Sequence, residues 1–155
     1  MLIIDSREKP KAITRILDYC QNNGIKYMTS KLIVGDYMMF NNPGIIVDRK
    51  QNVAELAKNC TSDKTRFLAE IQTAQNLGVE LVILVEQDKY QDRGKTVVIR
   101  DISDLLTWSN PYSTIRGETI YRTLAYWTNK YPFRVEFCRK ADTGKRIIEI
   151  LEGQN

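Results

Sequence analysis

The sequence predicts an α/β fold in which a central mixed β-sheet is covered by helices on both faces. Short apolar runs alternate along the chain with segments whose apolar residues recur at helical spacing. The run "VELVILVEQ" at 79–87 is continuous and rich in valine, which is typical of a strand buried on both faces. The turn sequence "NNPG" at 41–44 separates two further strand-like runs and predicts an antiparallel hairpin.

In the first half of the chain, "MLIID" predicts a buried strand at Leu2–Asp5. Pro10 suits a first helical turn, apolar residues follow at helical spacing, and Gly24 ends the helix; these apolar residues are Ile13, Ile16, Leu17 and Cys20. The segments "IKYMTSKL" and "GDYMMF" predict strands, and the turn then leads into the strand "IIVDRK". The last two strands form the hairpin.

The second half begins with helical patterns at 51–59 and from position 62 or 63 to 77, where Gly78 provides a stop. After the central strand, the charged segment 88–103 predicts a loop or a small excursion. A helix is expected at 117–131, where Pro132 breaks it, followed by the strand "FRVEFCR" and a helix in "ADTGKRIIEILEG".

The composition bounds the class of protein. A chain of 155 residues with 43% hydrophobic residues predicts one globular domain over 1–155. There is no signal-like start and no long apolar run, so no membrane partner is expected. Cys20, Cys60 and Cys138 form no Cys-x-x-Cys pair and predict free thiols in a reducing compartment. We therefore expect a soluble intracellular protein, in the cytoplasm of a prokaryote or virus-infected cell, or in the nucleus of a eukaryote.

The charge and the missing histidines limit the chemistry. The net charge of +4 permits a polyanionic partner without requiring one. Because the chain has no histidine, mechanisms with an imidazole base or an imidazole metal ligand are excluded. Catalysis would have to use carboxylates, lysines, arginines, tyrosines or cysteines.

The hairpin carries an unusual set of charges. Asp48 and Lys50 are two apart and face one side of their strand, whereas Arg49 faces the other. Asp36 on the preceding strand lies opposite position 48 or 49, with Cβ atoms about 5–8 Å apart. Two carboxylates there repel each other unless a cation binds between them, as a hard divalent ion such as Mg²⁺ does. A nearby lysine can then hold or deprotonate one of the waters on that ion. The alternative is a soluble edge hairpin with charged ends and a cross-strand contact between aspartate and lysine.

Four blocks, "IIDSRE", "LIVGDY", "IIVDRK" and "RFLAEIQ", resemble in order and spacing those of the XPF-type structure-specific nuclease domain. The resemblance continues through "LVILVE" and the tail, and so covers nearly the whole chain. It implies a restriction-endonuclease-like fold and a metal-dependent endonuclease that hydrolyses phosphodiester bonds. The DNA implied is flapped, forked or branched, as in DNA repair and recombination.

The resemblance also implies roles for individual residues. Asp5, Asp36 and Asp48 would bind one or two Mg²⁺ or Mn²⁺ ions, and Lys50 would position the attacking water and offset transition-state charge. Arg49 would organise the site from the far side of its strand. Glu8 either reaches the metal cluster or simply stabilises the start of the following helix.

DNA contacts are expected from five residues near these blocks or in the charged segment, namely Arg7, Lys64, Arg66, Gln72 and Lys95. Tyr37 is interpreted as a core residue. Trp108 and Tyr112 are left open between packing and substrate contact. Two positions depart from the family pattern, which has Glu where this chain has Asp48 and Asp where it has Ala54.

Members of this family usually continue into a helix-hairpin-helix domain, and the sequence predicts none after Asn155. We therefore expect a nuclease domain that acts as a homodimer or with a separate DNA-binding subunit. A second hypothesis is a catalytically weak module of the same fold that binds DNA or a partner. The presence of Asp36, Asp48 and Lys50 favours activity, and the lack of a glycine-rich phosphate loop disfavours a small-molecule enzyme.

Overall fold

The computed structural model describes residues 1–153. The strands are β1 (Leu2–Asp5), β2 (Tyr27–Ser30), β3 (Tyr37–Met39), β4 (Asn42–Lys50), β5 (Glu80–Val85), β6 (Lys89–Asp92), β7 (Lys95–Val98) and β8 (Phe133–Phe137). Six of them form one sheet in the order β2-β1-β3-β4-β5-β8, and β6 and β7 form a separate hairpin. The helices are α1 (Thr14–Asn22), α2 (Val53–Asn59), α3 (Lys64–Leu77), α4 (Gly117–Lys130) and α5 (Thr143–Leu151).

The sheet is mixed, as the sequence predicts. Strand β3 runs antiparallel to both β1 and β4, whereas β1 pairs in parallel with β2, and β4 and β8 each pair in parallel with β5. The carboxyl ends of β1, β4 and β5 therefore meet at one edge of the sheet, and β3 begins at that same edge. This edge brings together Asp5, Asp36, Asp48 and Lys50.

Helices cover both faces of the sheet, which confirms the predicted α/β architecture. One core contains Phe67, Leu124 and Trp127 from α3 and α4, packed on strand residues such as Ile46. The other core packs α1 and α5 on the opposite face, where the strand contributes Val47. Adjacent residues of β4 thus enter different cores, because successive side chains of a strand alternate between its faces.

The start of the first predicted helix differs from expectation. Pro10–Ala12 forms a short 3₁₀ turn in which the Ile13 amide donates to the Pro10 carbonyl, and α1 begins only at Thr14. Ile13 has φ −116° and ψ 18°, so it interrupts the helical path between the two elements. Pro10 starts a turn as predicted, but the turn is tighter than an α-helix.

The excursion predicted at 88–103 is an ordered hairpin of β6 and β7. Its two-residue turn places Arg93 and Gly94 at φ 51° and 78°, a left-handed pair typical of such turns. Tyr90 is the only buried residue of the two strands, so the sequence shows little apolar alternation. Arg93 occupies a turn position that usually takes asparagine or glycine, so the sequence did not predict the turn.

None of the helices in the described part of the chain is long and apolar enough to cross a lipid bilayer. The three cysteines are free, as the sequence predicts, and Cys20 and Cys60 are buried.

Candidate active site

The β3–β4 hairpin brings the carboxylates of Asp36 and Asp48 to the same place. Tyr37 pairs with Val47, and the Asp36 amide just before it donates to the Val47 carbonyl at 2.8 Å. The Arg49 amide donates to Asp36 Oδ2 at 2.8 Å. The predicted cross-strand neighbourhood of Asp36 and Asp48 is therefore confirmed. The turn predicted at 41–44 is wrong, because the chain turns at 40 and 41, β4 begins at Asn42, and the register shifts between Met38 and Met39.

Gly35 makes this approach possible. Its φ of +73° lies in the left-handed region, and a Cβ atom at this position would overlap the Ile46 side chain and crowd the Val47 carbonyl. Only glycine combines this backbone conformation with the lack of a side chain. The sequence Gly35-Asp36 thus sets both the path of the chain and the position of the carboxylate.

The two aspartates line an open cavity of about 210 Å³ at the edge of the sheet. Most residues around it were predicted as site residues; the lining comprises Asp5, Arg7, Glu8, Gly35, Asp36, Asp48, Lys50, Arg66 and Glu70. A second cavity beside it extends past the end of β4 toward Lys9, Arg49 and Glu55.

The electrostatics of the pair favour a bound cation. Burial and the nearby Asp48 carboxylate raise the pKa of Asp36 to about 9. A carboxylate in such surroundings gains from a positive charge that both carboxylates share. Within residues 1–153, no three acidic or cysteine side chains converge into a ready-made metal centre. The oxygen donors of Asp36 and Asp48 nevertheless fit a hard divalent ion, which takes carboxylate ligands and keeps several waters.

Lys50 projects into the same cavity. Its Nζ lies 3.4 Å from Asp48 Oδ2 and 5.4 Å from the centre of the Phe67 ring. Burial by itself would lower the pKa of Lys50, but the carboxylates of Asp48 and Asp36 outweigh it, so the pKa is raised. Lys50 is therefore a fixed positive charge rather than a neutral base at neutral pH.

Arg49 faces the opposite side of β4, as predicted. Its Nη2 donates to Glu8 Oε2 at 3.0 Å, and its Nη1 donates to Glu86 at the end of β5. Glu86 in turn accepts from Thr143 Oγ1 at 2.9 Å, at the start of α5. Burial by itself would lower the pKa of Arg49, but its hydrogen bonds to Glu8 and Glu86 outweigh burial, so the pKa is raised. Arg49 thus joins the site to the far side of the sheet, in line with an organising role.

Asp5 is almost wholly buried, and other groups already occupy its carboxylate. Oδ1 accepts from the Leu32 amide at 2.8 Å, and Oδ2 accepts from Arg7 Nε at 2.7 Å. Burial acts to raise the pKa of Asp5, but the Arg7 bond and charge lower it below its ordinary value. The metal-binding roles given to Asp5 and Glu8 stay predictions, since both carboxylates have protein partners here.

The five predicted DNA contacts fall into two groups. Arg7 and Arg66 line the cavity with side chains that are largely exposed. Lys64, Gln72 and Lys95 are exposed but do not line it. As predicted, Tyr37 is fully buried in the core. Of the pair left open, Trp108 is buried among core residues and Tyr112 is exposed.

Two acidic residues of the site were missed from the sequence. Glu86 ends the apolar run of β5, and its amide donates to the Lys50 carbonyl. Glu70 lies in α3 within the block "RFLAEIQ", four residues after Arg66, so both side chains face the same way. The sequence offered one signal for each residue. Glu86 is an acidic residue at the end of a buried strand, and Glu70 lies four residues after Arg66, a predicted DNA contact.

Comparison with known proteins relates this arrangement to one family. XPF from Aeropyrum pernix has the same fold, with a TM-score of 0.67 and 19% sequence identity over 97% of this chain. A structure of XPF from Aeropyrum pernix in complex with DNA gives a TM-score of 0.66 and 16% identity, again over 97% of this chain. This chain spans 63% and 62% of those two chains.

No curated protein matches this chain. The family model of the ERCC4 domain matches residues 4–151. The match includes the hairpin with Asp36, Asp48 and Lys50 as well as the glutamates that hold Arg49. Because it extends over nearly the whole sequence, this chain belongs to the ERCC4 domain family.

Proposed function

We propose that this chain is a DNA endonuclease that requires Mg²⁺ or Mn²⁺ and hydrolyses phosphodiester bonds at the edge of its sheet. The observation that carries the proposal is the convergence of Asp36, Asp48 and Lys50 in one open cavity. Two carboxylates beside a charged lysine match the needs of phosphodiester hydrolysis, in which negative charge builds up on the phosphate. Membership of the ERCC4 domain family supports the same chemistry.

Each of the three side chains has a distinct part in this proposal. Asp36 and Asp48 hold the ion, which when bound supplies Lewis-acid activation of water and neutralises phosphate charge. Lys50 keeps its proton because Asp48 and Asp36 raise its pKa. Its ammonium donates hydrogen bonds to the attacking water or to a phosphate oxygen, and so orients the reactants.

Arg7 is the strongest phosphate contact in the proposal. Its guanidinium is fixed by Asp5 and by the Leu32 carbonyl, yet 62% of the side chain is exposed at the cavity. A guanidinium that is held in place loses little conformational entropy when it binds a phosphate. Asp5 then acts by holding Arg7, and Arg66 adds a second cation at the rim of the cavity.

The preferred DNA is proposed to be a flap, fork or branched junction between single-stranded and duplex segments. This substrate class comes from the family and from the XPF structure in complex with DNA. A place in DNA repair or recombination would follow from such a substrate. We further propose that a second copy or a separate DNA-binding subunit supplies the contacts that select the junction.

Binding without efficient cleavage is the second candidate, and one observation favours it. The family pattern places an aspartate at position 54, whereas Ala54 packs its methyl group against the core and supplies no carboxylate. A site with fewer ligands would hold its ion more weakly. Asp36, Asp48 and Lys50 are all in place, so we favour the nuclease.

The experiment is cleavage of end-labelled DNA by the purified chain with Mg²⁺, with Mn²⁺ or with EDTA. Single-stranded, duplex, flap, fork and four-way-junction DNAs are compared at equal concentration. We expect cleavage of a junction-containing DNA that EDTA abolishes. Tight binding of the same DNAs without any cut in either metal would instead support the binding module.

A further inference from the structure

Glu70 is an acidic side chain of the cavity for which the sequence predicted no role. It lies in α3 one turn after Arg66, and both line the cavity with Asp48 and Lys50. Phe67, in the same turn, is fully buried and packs beneath the Lys50 ammonium, which anchors this part of α3 against β4. The position of Glu70 at the cavity is thus fixed by the core.

Glu70 differs from the other carboxylates around it in having no hydrogen bond or ion pair to any residue in 1–153. Asp5 binds Arg7, Glu8 binds Arg49, Asp36 accepts from the Arg49 amide, and Asp48 lies beside Lys50. Burial and the charge of Asp48 raise the pKa of Glu70, and the surrounding cations only partly oppose this. A carboxylate is therefore held among other carboxylates without a direct partner.

We infer that Glu70 is the third carboxylate of the cation site and holds the bound ion through one of its water molecules. The inference rests on the proposed function. A water-mediated contact fits the structure because no three acidic side chains in the described residues converge closely enough to bind an ion directly. Mg²⁺ also keeps several waters when one or two carboxylates bind it, and those waters need acceptors.

A purely structural role for Glu70 is less consistent with its surroundings. An ion pair with Arg66, four residues earlier, would give Glu70 a structural role, but Arg66 donates instead to Asp63 Oδ2 at 3.1 Å. Glu55 of α2 lines the adjoining cavity, but its Oε2 accepts from the Gln51 amide at 3.1 Å, whereas Glu70 lines the cavity of Asp36 and Asp48 without such a bond in the described residues. Its negative charge raises the energy of the metal-free protein and is offset when a cation binds.

The test measures Mn²⁺ binding to the metal-free chain by calorimetry, without DNA and without catalysis. Wild type is compared with Glu70→Gln and Asp48→Asn, and with Glu118→Gln as a matched control from the exposed first turn of α4. Glu70→Gln should weaken Mn²⁺ binding about 10- to 100-fold, the usual effect of losing a group that hydrogen-bonds a ligand of the metal. Glu118→Gln should bind as wild type.

Melting temperatures supply a second readout that separates a ligand from a structural group. In EDTA, Glu70→Gln should melt at or above the wild-type temperature because the substitution removes an uncompensated charge. Adding Mn²⁺ should raise the melting temperature of the wild type by more than it raises that of Glu70→Gln. A Glu70→Gln protein that melts lower in EDTA would overturn the inference in favour of a structural role.

The outcomes also distinguish this inference from the proposed function. If Asp48→Asn abolishes Mn²⁺ binding while Glu70→Gln binds as wild type, the inference on Glu70 is wrong and the cation site stands. If the wild type binds no Mn²⁺ at any concentration tested, the cation site and the inference both fail.

Discussion

Arg49 at the end of β4 donates to Glu86 at the end of β5, and only 5% and 3% of these side chains are exposed. Glu8 binds the same guanidinium from the segment after β1, and Thr143 binds Glu86 from α5. This network adjoins the cavity, because Glu8 lines it and Arg49 stands between Asp48 and Lys50 in sequence with its side chain on the other face of β4. The side chains of the proposed active site are therefore supported by an ion network rather than by apolar packing alone.

Replacing Arg49 should destabilise the fold strongly. Arg49→Leu leaves Glu8 and Glu86 buried without their cation, and we expect the free energy of unfolding to fall by about 3–5 kcal/mol. The measurement is urea unfolding of both proteins. Arg134→Leu is the matched control, since Arg134 also pairs with two glutamates but is 34% exposed, and should cost about 1 kcal/mol or less. Equal losses for the two variants would contradict a special role for the buried network.

Asp5 and Arg7 should act as one unit in DNA binding. Arg7→Ala removes a charged phosphate contact, which is worth about 1.5 kcal/mol or roughly tenfold in affinity. Asp5→Asn should produce much of the same loss, because the guanidinium is no longer held, and the double variant should be little worse than Arg7→Ala. Fluorescence anisotropy with labelled DNA in EDTA measures these affinities.

The same measurement, together with Mn²⁺ calorimetry of Asp5→Asn, tests the earlier prediction that Asp5 is a metal ligand. If Asp5→Asn leaves DNA affinity in EDTA unchanged but weakens Mn²⁺ binding, the metal role is correct. Asp5 would then have to exchange its bonds to Arg7 and Leu32 for the ion.

Gly35→Ala should disrupt the site through the backbone. A Cβ atom would overlap Ile46 in addition to straining a φ of +73°. Gly24→Ala is a suitable control, because Gly24 has a φ of +66° but nothing within 4 Å of the added atom. Thermal unfolding should show a larger loss of stability for Gly35→Ala than for Gly24→Ala, and Gly35→Ala should also cleave DNA more slowly than wild type. Equal losses would mean that backbone strain alone matters at Gly35.

The sequence predicted the mixed sheet and its helices because apolar periodicity is strong in elements that face a core. It also predicted the proximity of Asp36 and Asp48 from the hairpin, but it misplaced the turn. Met39 already pairs with Asn42, and a register shift between Met38 and Met39 brings Tyr37 opposite Val47. The partners of Asp5 and Arg49 could not be predicted, because they depend on how loops and neighbouring strands meet at the edge of the sheet. Glu70 and Glu86 were missed for the same reason: each comes from an element distant in sequence from the hairpin.

The stability of the metal-free protein should depend on the protonation of Asp36. Its pKa is about 9 in the folded protein against an ordinary value of 3.8, so the folded state retains a proton that the unfolded state releases. The stability that this proton contributes is complete below the unfolded pKa of 3.8 and is lost as the pH rises through the folded pKa of about 9. In EDTA, Asp36→Asn should therefore become increasingly more stable than wild type between about pH 5 and 9.

Urea unfolding of both proteins across this range checks the prediction. Saturating Mg²⁺ should reduce the difference, because the ion compensates the ionised carboxylates of the wild type. A constant difference between the two proteins at every pH would show that Asp36 is already ionised in the folded state without metal.

The single-turnover rate at which the chain cuts its preferred DNA in Mg²⁺ tests directly whether this cavity is the active site. Wild type is compared with Asp48→Asn and Lys50→Ala, and with Asp18→Asn on the exposed surface of α1 as the control. We predict that both site substitutions slow cleavage about 100-fold or more while the proteins remain folded, and that the control cuts at the wild-type rate. Wild-type cleavage by folded Asp48→Asn and Lys50→Ala proteins would contradict the assignment of this cavity as the active site.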